Sequence, residues 1–469
     1  MLGIRLFGLL AFSNLWLCGA ARAESLDLEA LENQAVAHLQ AYLQIDTTNP
    51  PGNETRAVEF FAEILSAEGI PFEWVESAPG RGNIWARLEG GPEPALVLLH
   101  HTDVVPADER FWDVPPLSGR LHNGWIWGRG ALDDKSLGIL HLQTFLALHR
   151  LRLPLNRDVI FLATADEEAG GRYGAGWLVE HRREIFEGVG LLLNEGGALL
   201  GVAGRSVCSI EVTQKVPFWL RLISRGEAGH GSAPRAETAV TRLVRALANI
   251  HAHPFEPRIV PAVDAYFRGL STLQPEPRRT QFADLAGAVA DPQFMARLQA
   301  EIPALYALTR NTCSITRLAG SGKINVVPPE ASAELDCRLL PDQDPEAFLE
   351  DLRGVIDDPS IEIERILSFS PAISTTDTEL YRAIAEVCRE RLPDVAVLPA
   401  VAAGFTDSHY FRDIGIASYG FAPLVVPAEE RAGVHGNNER IGVENLKRGV
   451  GMSLDIVRRL VHSEPAALD

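Results

Sequence analysis

Cationic side chains are in short supply in this 469-residue chain, where 43 Lys and Arg stand against 62 Asp and Glu for a formal net charge of −19. That balance argues against a nucleic-acid backbone or an anionic membrane as partner, since both need a basic surface. Cysteine is also scarce: of five residues, Cys18 lies in the N-terminal leader. The remaining four, spread over so long a chain, exclude a disulfide framework and leave room for one bridge of unspecified pairing. Cys337, on the apolar side of an alternating segment, reads as simply buried. Beyond the first 23 residues no apolar run is long enough to cross a bilayer. Internal repeats and long low-complexity tracts are missing, as is any G-x-S-x-G elbow. Ser408 beside His409 in "TDSHYF" is not an orienting arrangement, which disfavours serine hydrolysis.

The leader itself, "MLGIRLFGLLAFSNLWLCGAARA", has one Arg, a short apolar stretch and small residues ending at Ala23. This is the layout of a secretory signal peptide over residues 1–23, with an uncleaved anchor as the alternative. The expectation is an exported protein, periplasmic or secreted, without stable membrane insertion after cleavage.

From there, unbroken apolar strands ("ALVLLHH", "DVIFLATA", "GVGLLLNEGG") alternate with helical patterns such as "KSLGILHLQTFLALHRL". Such alternation predicts an α/β body with a largely parallel central sheet flanked by helices. Near Val216 the texture changes to alternating segments, "FWLRLISR", "CSITRLAGS" and "ASAELDCRLLP", mixed with helices. The last hundred residues return to the first texture. The expected organisation is a catalytic domain in two parts, 24–215 and 368–469, interrupted by an α+β sandwich over 216–367.

Ligands of open α/β sheets bind outside the carboxyl ends of the strands. Three strands deliver polar residues there: His100, His101 and Asp103; Asp166, Glu167 and Glu168; Asn194 and Glu195. Between the first two strands, "GRGALDDKS" sets Asp133 and Asp134 at a helix entrance. Carboxylates crowded in this way raise one another's pKa and destabilise a fold unless cations compensate them. Imidazole with carboxylate oxygen suits zinc and related divalent ions. Residues two apart in a strand share a face, so His101 and Asp103 point together and His100 points elsewhere. His101 then reads as a ligand with Asp103 as its support. A second histidine, His435 of "GVHGNNERI", could reach the site or be an ordinary exposed loop residue. Arg338 shares a strand face with Glu334 and Asp336; it reads either as a fork for a substrate carboxylate or as a salt-bridge partner of Asp336.

The ordered motifs "HTDVVP", "GRGALDDK", "DEEAGG", "NEGG", "GHGSAP", "NVVPPEASAELDCRLLP", "GFTDSHYF" and "VHGNNE" resemble the co-catalytic di-zinc exopeptidases. That family includes aminoacylases, bacterial glutamate carboxypeptidase, acetylornithine deacetylase and yeast carboxypeptidase S. The resemblance covers nearly the whole chain after the leader. It implies two Zn²⁺ ions (Co²⁺ or Mn²⁺ as substitutes) bridged by Asp133, with His101 and Glu195 on one ion and Glu168 and His435 on the other. It further implies Glu167 as general base and His230 as an oxyanion donor carried by the inserted domain, from the same chain or from a partner in a homodimer formed through that domain. Asn325 and Gly404 would line the substrate pocket with Arg338. The chain departs from the family pattern at Asp134 and Asn194, neither of them a ligand position. The insert near 254–312 resembles the carboxypeptidase S and N-fatty-acyl amino acid hydrolase branch and suggests apolar substrates. The expected activity is hydrolysis of an amide next to a free carboxylate, in a small peptide or an N-acyl amino acid. The rival from another class is a non-catalytic periplasmic receptor for peptides or metal, which would have no need of Glu167.

Overall fold

The apolar runs become strands because each is buried on both faces. In Glu93–His101, Leu96 and Leu98 enter one core while Val97 and Leu99 enter another across the sheet. The computed structural model describes residues 26–202 and 204–462, and the expected signal peptide over 1–23 lies outside them. Among the described residues no helix is long and apolar enough to cross a membrane.

Eight strands form the main sheet in the order Phe72–Glu76, Gly82–Leu88, Arg157–Thr164, Glu93–His101, Val189–Val202, Ala417–Val425, Arg205–Gln214, Ala396–Ala402. Its central pairings are parallel and the first two strands join antiparallel. Helices Leu28–Leu43, Lys135–Leu151 and Val443–Val461 share the larger core on one face. Lys135–Leu151 is buried from Lys135 to Leu148, as a helix running beneath a sheet must be. Gly138 makes that approach feasible, since a Cβ there would come within 2.3 Å of the His100 ring. His100 itself is enclosed by Phe61, Phe161 and Tyr42, and burial holds its imidazole well below the usual range.

A second, antiparallel sheet has the order Thr312–Ala319, Glu330–Leu339, Val216–Arg225, Glu362–Ser368. Along Glu330–Leu339 burial alternates, with Ala331, Ala333, Leu335, Cys337 and Leu339 inward against helices Ala239–Ala252 and Pro345–Ile356. The interrupted α/β architecture expected from the alternating textures is therefore present. A third core belongs to the helices between Pro261 and Ala307. Although these helices lie within 216–367 in sequence, they pack on Val207, Leu398 and Val401 at the edge of the larger sheet.

The cysteines depart from expectation. Two bridges form rather than one: Cys208–Cys388 joins a sheet strand to helix Glu379–Arg391, and Cys313–Cys337 joins directly paired strands. Cys337 is thus both buried and bonded. Strand register and helix docking bring the sulfurs together over separations of 180 and 24 residues, which no local pattern reveals.

Candidate metal centre

The charged residues collect where two adjacent strands, Glu93–His101 and Arg157–Thr164, end beside the middle of a third, Val189–Val202, rather than at three strand ends as the sequence suggested. His101 closes its strand. Glu167 and Glu168 occupy a single 3-10 turn after Arg157–Thr164, entered through Asp166 at φ 71° and left through Gly170. Glu195 lies within Val189–Val202, beside Gly420 of the neighbouring strand; a Cβ on Gly420 would sit 2.0 Å from the Glu195 carbonyl oxygen. Asp133 comes from the loop before Lys135–Leu151, across a cis peptide to Asp134. His435 arrives from more than 300 residues away because Arg440–Gly442 pairs with Trp125–Trp127 and lays its loop beside the Asp133 loop.

Asp133 stands between two pairs of groups. Its Oδ1 lies 3.1 Å from His101 Nε2, which is itself 3.7 Å from Glu195 Oε1. Its Oδ2 lies 3.2 Å from His435 Nε2, which is 3.1 Å from Glu168 Oε2. Each carboxylate oxygen of one residue thus faces a separate histidine and carboxylate.

The charge state of the cluster is strained. Burial, reinforced by Glu195, pushes the Glu167 carboxyl well up; burial and Asp133 do the same to Glu195. Burial also opposes ionisation of Asp133, but hydrogen bonds from His101 and His435 outweigh it and hold the group below the carboxylate range. His435 is pushed up to about 10 by Asp133 and Glu168. Four carboxylates against two imidazoles leave negative charge in excess, and Glu168 Oε1 is buried with no hydrogen-bond partner. Donor atoms of His101, Glu167 and Glu195, and of His101, Asp133 and Glu168, lie within 4.8 Å of one another. This donor set fits divalent cations that accept nitrogen and oxygen ligands.

Asp103 does something the strand pattern did not anticipate. The nearest group to His101 Nδ1 is the Asp103 main-chain oxygen at 3.0 Å, with carboxylate Oδ1 at 3.5 Å. Besides facing His101, the carboxylate accepts from the backbone N–H groups of Glu167 and Glu168, at 3.0 and 3.1 Å, and from Asn49 Nδ2 at 2.8 Å. It shapes the turn that carries both glutamates.

Glu439 is a second organiser, one the sequence marked only by proximity. Fully buried, it accepts from the N–H groups of Gly130, Leu132 and Asp133 and from Arg129 Nη1. Arg129 in turn donates to the carbonyls of Gly433 and Gly436, on either side of His435. One buried ion pair therefore ties the Asp133 loop to the His435 loop. Its only sequence signal was an acid just after a candidate ligand.

The remaining candidates lie apart from the cluster. His230 is exposed in a two-stranded ribbon, with Nδ1 2.8 Å from Ser232 Oγ and with Asn325 next to it. Neither residue has a hydrogen bond or ion pair to the cluster among the described residues. Arg338 is engaged by Asp336, Nε to Oδ1 at 2.6 Å, so the salt bridge left open by the sequence is formed. Its guanidinium lies over the rings of Trp219 and Phe405, with Nη1 buried and unpartnered. Gly404, exposed, immediately precedes Phe405.

An α/β sheet presenting paired imidazoles and carboxylates around one shared aspartate defines a metallohydrolase. The sequence pattern of Peptidase family M20/M25/M40 matches residues 97–459, and the chain belongs to that family. An N-fatty-acyl-amino acid synthase/hydrolase PM20D1 of Xenopus tropicalis is 32% identical over 467 residues, covering 93% of this chain and 88% of that protein. A probable carboxypeptidase S-like 2 of Dictyostelium discoideum is 28% identical, covering 80% and 73%. Among solved structures, an M20 family metallo-carboxypeptidase of Sulfolobus solfataricus superposes with a TM-score of 0.71 at 19% identity, over 91% of this chain and 98% of that one. A dinuclear metal binding peptidase of Bacillus subtilis aligns with a TM-score of 0.57 at 12% identity, over 92% and 100%. The protein is a hydrolytic enzyme of this family, and nothing among the relatives supports the receptor alternative.

Proposed function

We propose that the protein is an exported, zinc-dependent hydrolase of amide bonds next to a free carboxylate, acting on N-acyl amino acids or small peptides. The observation that carries the reading is Asp133, whose two oxygens face separate histidine–carboxylate pairs. In this reading Asp133, His101 and Glu195 would hold one ion, and Asp133, Glu168 and His435 the other. The ions would supply Lewis acidity toward a water molecule and the scissile carbonyl. Glu167 takes a proton from the attacking water on its carboxylate as the water oxygen bonds to the carbonyl carbon, and returns it to the amide nitrogen as the C–N bond breaks. Asp103 and Glu439 keep the ligand-bearing turns in register. His230 donates to the carbonyl oxygen as negative charge develops there. Because among the described residues it has no hydrogen bond or ion pair to its own chain's cluster, His230 comes from a second copy associated through the inserted sheet domain. Arg338, freed from or shared with Asp336, binds the substrate carboxylate near Asn325 and Gly404. The two disulfides support export to an oxidising compartment.

The test is a panel of dipeptides and N-acyl amino acids with the Zn²⁺-loaded protein and a Glu167→Gln variant. The expected result is turnover by the wild type and a loss of at least about a hundredfold in kcat in the variant, with metal content unchanged. Full activity in the variant would remove Glu167 from its role.

A further inference from the structure

The turn that carries Glu167 and Glu168 is held at both ends. At its entry the Asp103 carboxylate accepts from the N–H groups of Glu167 and Glu168. At its exit the Gly170 carbonyl accepts from the Tyr410 hydroxyl at 2.7 Å. Tyr410 belongs to the short helix Ser408–Asp413, within the "TDSHYF" stretch that serine chemistry does not explain. Its ring is wedged against the helix that follows the turn, where a Cβ on Gly176 would come within 2.7 Å of Tyr410 Cζ. Burial, reinforced by Asp407 and Asp166, pushes the phenol well up, so the hydroxyl keeps the proton it donates.

A second layer packs behind Tyr410. The Tyr410 ring centroid lies 3.8 Å from that of His409 and 5.7 Å from that of Phe369. His409 is buried and stacks on Phe369 at 3.5 Å, and neither of its nitrogens has a hydrogen-bond partner. Burial holds its imidazole well below the usual range, so it packs as a neutral ring. Phe369 stands where the chain leaves the last strand of the inserted sheet, Glu362–Ser368, and its N–H donates to Pro217 O at the outward crossing. The same junction reaches the turn directly: a Cβ on Gly170 would lie 3.4 Å from Leu367 Cδ1 and 3.8 Å from Phe369 Cζ. The exit of the turn therefore rests on the junction of the two domains, whereas its entry is held by Asp103, two residues past the end of Glu93–His101.

We propose that Tyr410 is a positioning residue for this turn and that Phe369 fixes the seat of Tyr410, so that the contact between the two domains sets where Glu167 and Glu168 point. This rests on the metallohydrolase reading, in which Glu168 would hold one ion and Glu167 moves the proton. The effect is selective. Loss of the exit clamp displaces Glu167 and Glu168 but leaves His101 and Glu195, which sit on other strands, in place. It costs chemistry more than substrate binding, because a misplacement of about 1 Å can lower a rate about a hundredfold.

The experiment measures Zn²⁺ affinity by chelator competition for wild type, Glu168→Ala, Tyr410→Phe, Phe369→Leu and the Tyr410→Phe/Phe369→Leu double variant. Melting temperature, and kcat and KM with the fastest substrate of the panel above, are taken for each. Glu168→Ala marks which of two zinc sites depends on the turn. Tyr410→Phe, which removes only the hydroxyl, should weaken that same site about ten- to hundredfold, leave the other unchanged, and lower kcat by a similar factor with KM unmoved. Phe369→Leu should weaken the same site, and the double variant should be no weaker than Tyr410→Phe alone, since both changes act on one seat. Unchanged affinity in Tyr410→Phe, or equal weakening of both sites in step with melting temperature, overturns the positioning role. Additive losses in the double variant separate Phe369 from Tyr410 and overturn the link to the domain junction. If Glu168→Ala keeps full affinity at both sites, the metal-ligand reading fails instead. Tyr410 is then decided by kinetics: a lower kcat at unchanged KM in Tyr410→Phe keeps its role, and no change in either removes it. If no substrate turns over, the hydrolase reading fails and the zinc measurements alone decide Tyr410.

Discussion

Glu439 carries more hydrogen bonds into the Asp133 loop than any side chain of that loop does. Its carboxylate satisfies three N–H donors, that of Gly130 buried and those of Leu132 and Asp133 half-buried, and Arg129 at once. In Glu439→Gln an amide N–H₂ replaces one acceptor oxygen, leaving buried or half-buried donors facing a donor. The cost expected is about 1–3 kcal/mol of stability, read as a fall in melting temperature. Because the same groups fix Asp133 and, through Arg129, His435, zinc affinity should fall about ten- to hundredfold in a chelator competition. Unchanged zinc affinity would restrict Glu439 to stability alone. Glu167 and Glu168 were legible as candidates because strand ends in an open sheet mark ligand positions by themselves; Glu195 was singled out on the same ground although its strand continues to Val202. Glu439 was not, because an acid in a loop is ordinary until its donors are known.

Among the elements, the passage between the two sheets is held by one buried lysine. Lys215, between strands Arg205–Gln214 and Val216–Arg225, is buried and donates to Ala307 O, Arg310 O and Thr312 Oγ1 at 2.8, 2.7 and 3.1 Å. It pins the end of the helical segment to the crossing point. Burial pushes its ammonium down to about 7 from a reference of 10.5. Between those values the unfolded chain holds a proton that the folded chain has released, so this group's contribution to stability rises with pH across that window. Lys215→Met should destabilise by about 1–3 kcal/mol through its unsatisfied acceptors. The wild type's advantage over the variant should widen from pH 7 to pH 9 in paired melts. An advantage constant with pH would contradict the shift. Element identities were well marked in the sequence: the strands 216–225 and 330–339 and helix 345–356 follow from period-2 and helical patterning. Which core the 261–307 helices join was not, since their apolar faces fit either neighbour until packed.

At the scale of the whole molecule, catalysis on this proposal needs more than one chain's cluster, because His230 stands exposed and apart. His230→Ala should retain metal and lose about 10²- to 10³-fold in kcat, the usual effect of removing an oxyanion donor. Mixed with Glu167→Gln, it should regain measurable activity through hybrid dimers in which one site has both wild-type groups. No recovery after verified subunit exchange would assign His230 to its own chain's site.

The sequence by itself determined what is local. Alternation of period 2 or 3.6 sorts side chains onto faces, apolar runs demand cover on both sides, and charge at expected strand ends and at a helix entrance marks the cleft; together these single out His101, Asp133, Glu167, Glu168 and Glu195 as candidates. Tertiary structure alone decided what is assembled across distance. The pairing of Arg440–Gly442 with Trp125–Trp127 brings His435 to Asp133, the Arg129–Glu439 pair locks their loops, strand and helix docking join the cysteines, and the helices after Pro261 pack on the edge of the larger sheet. The physical reason is that periodicity fixes which face a residue presents. What that face meets depends on packing among segments hundreds of residues apart.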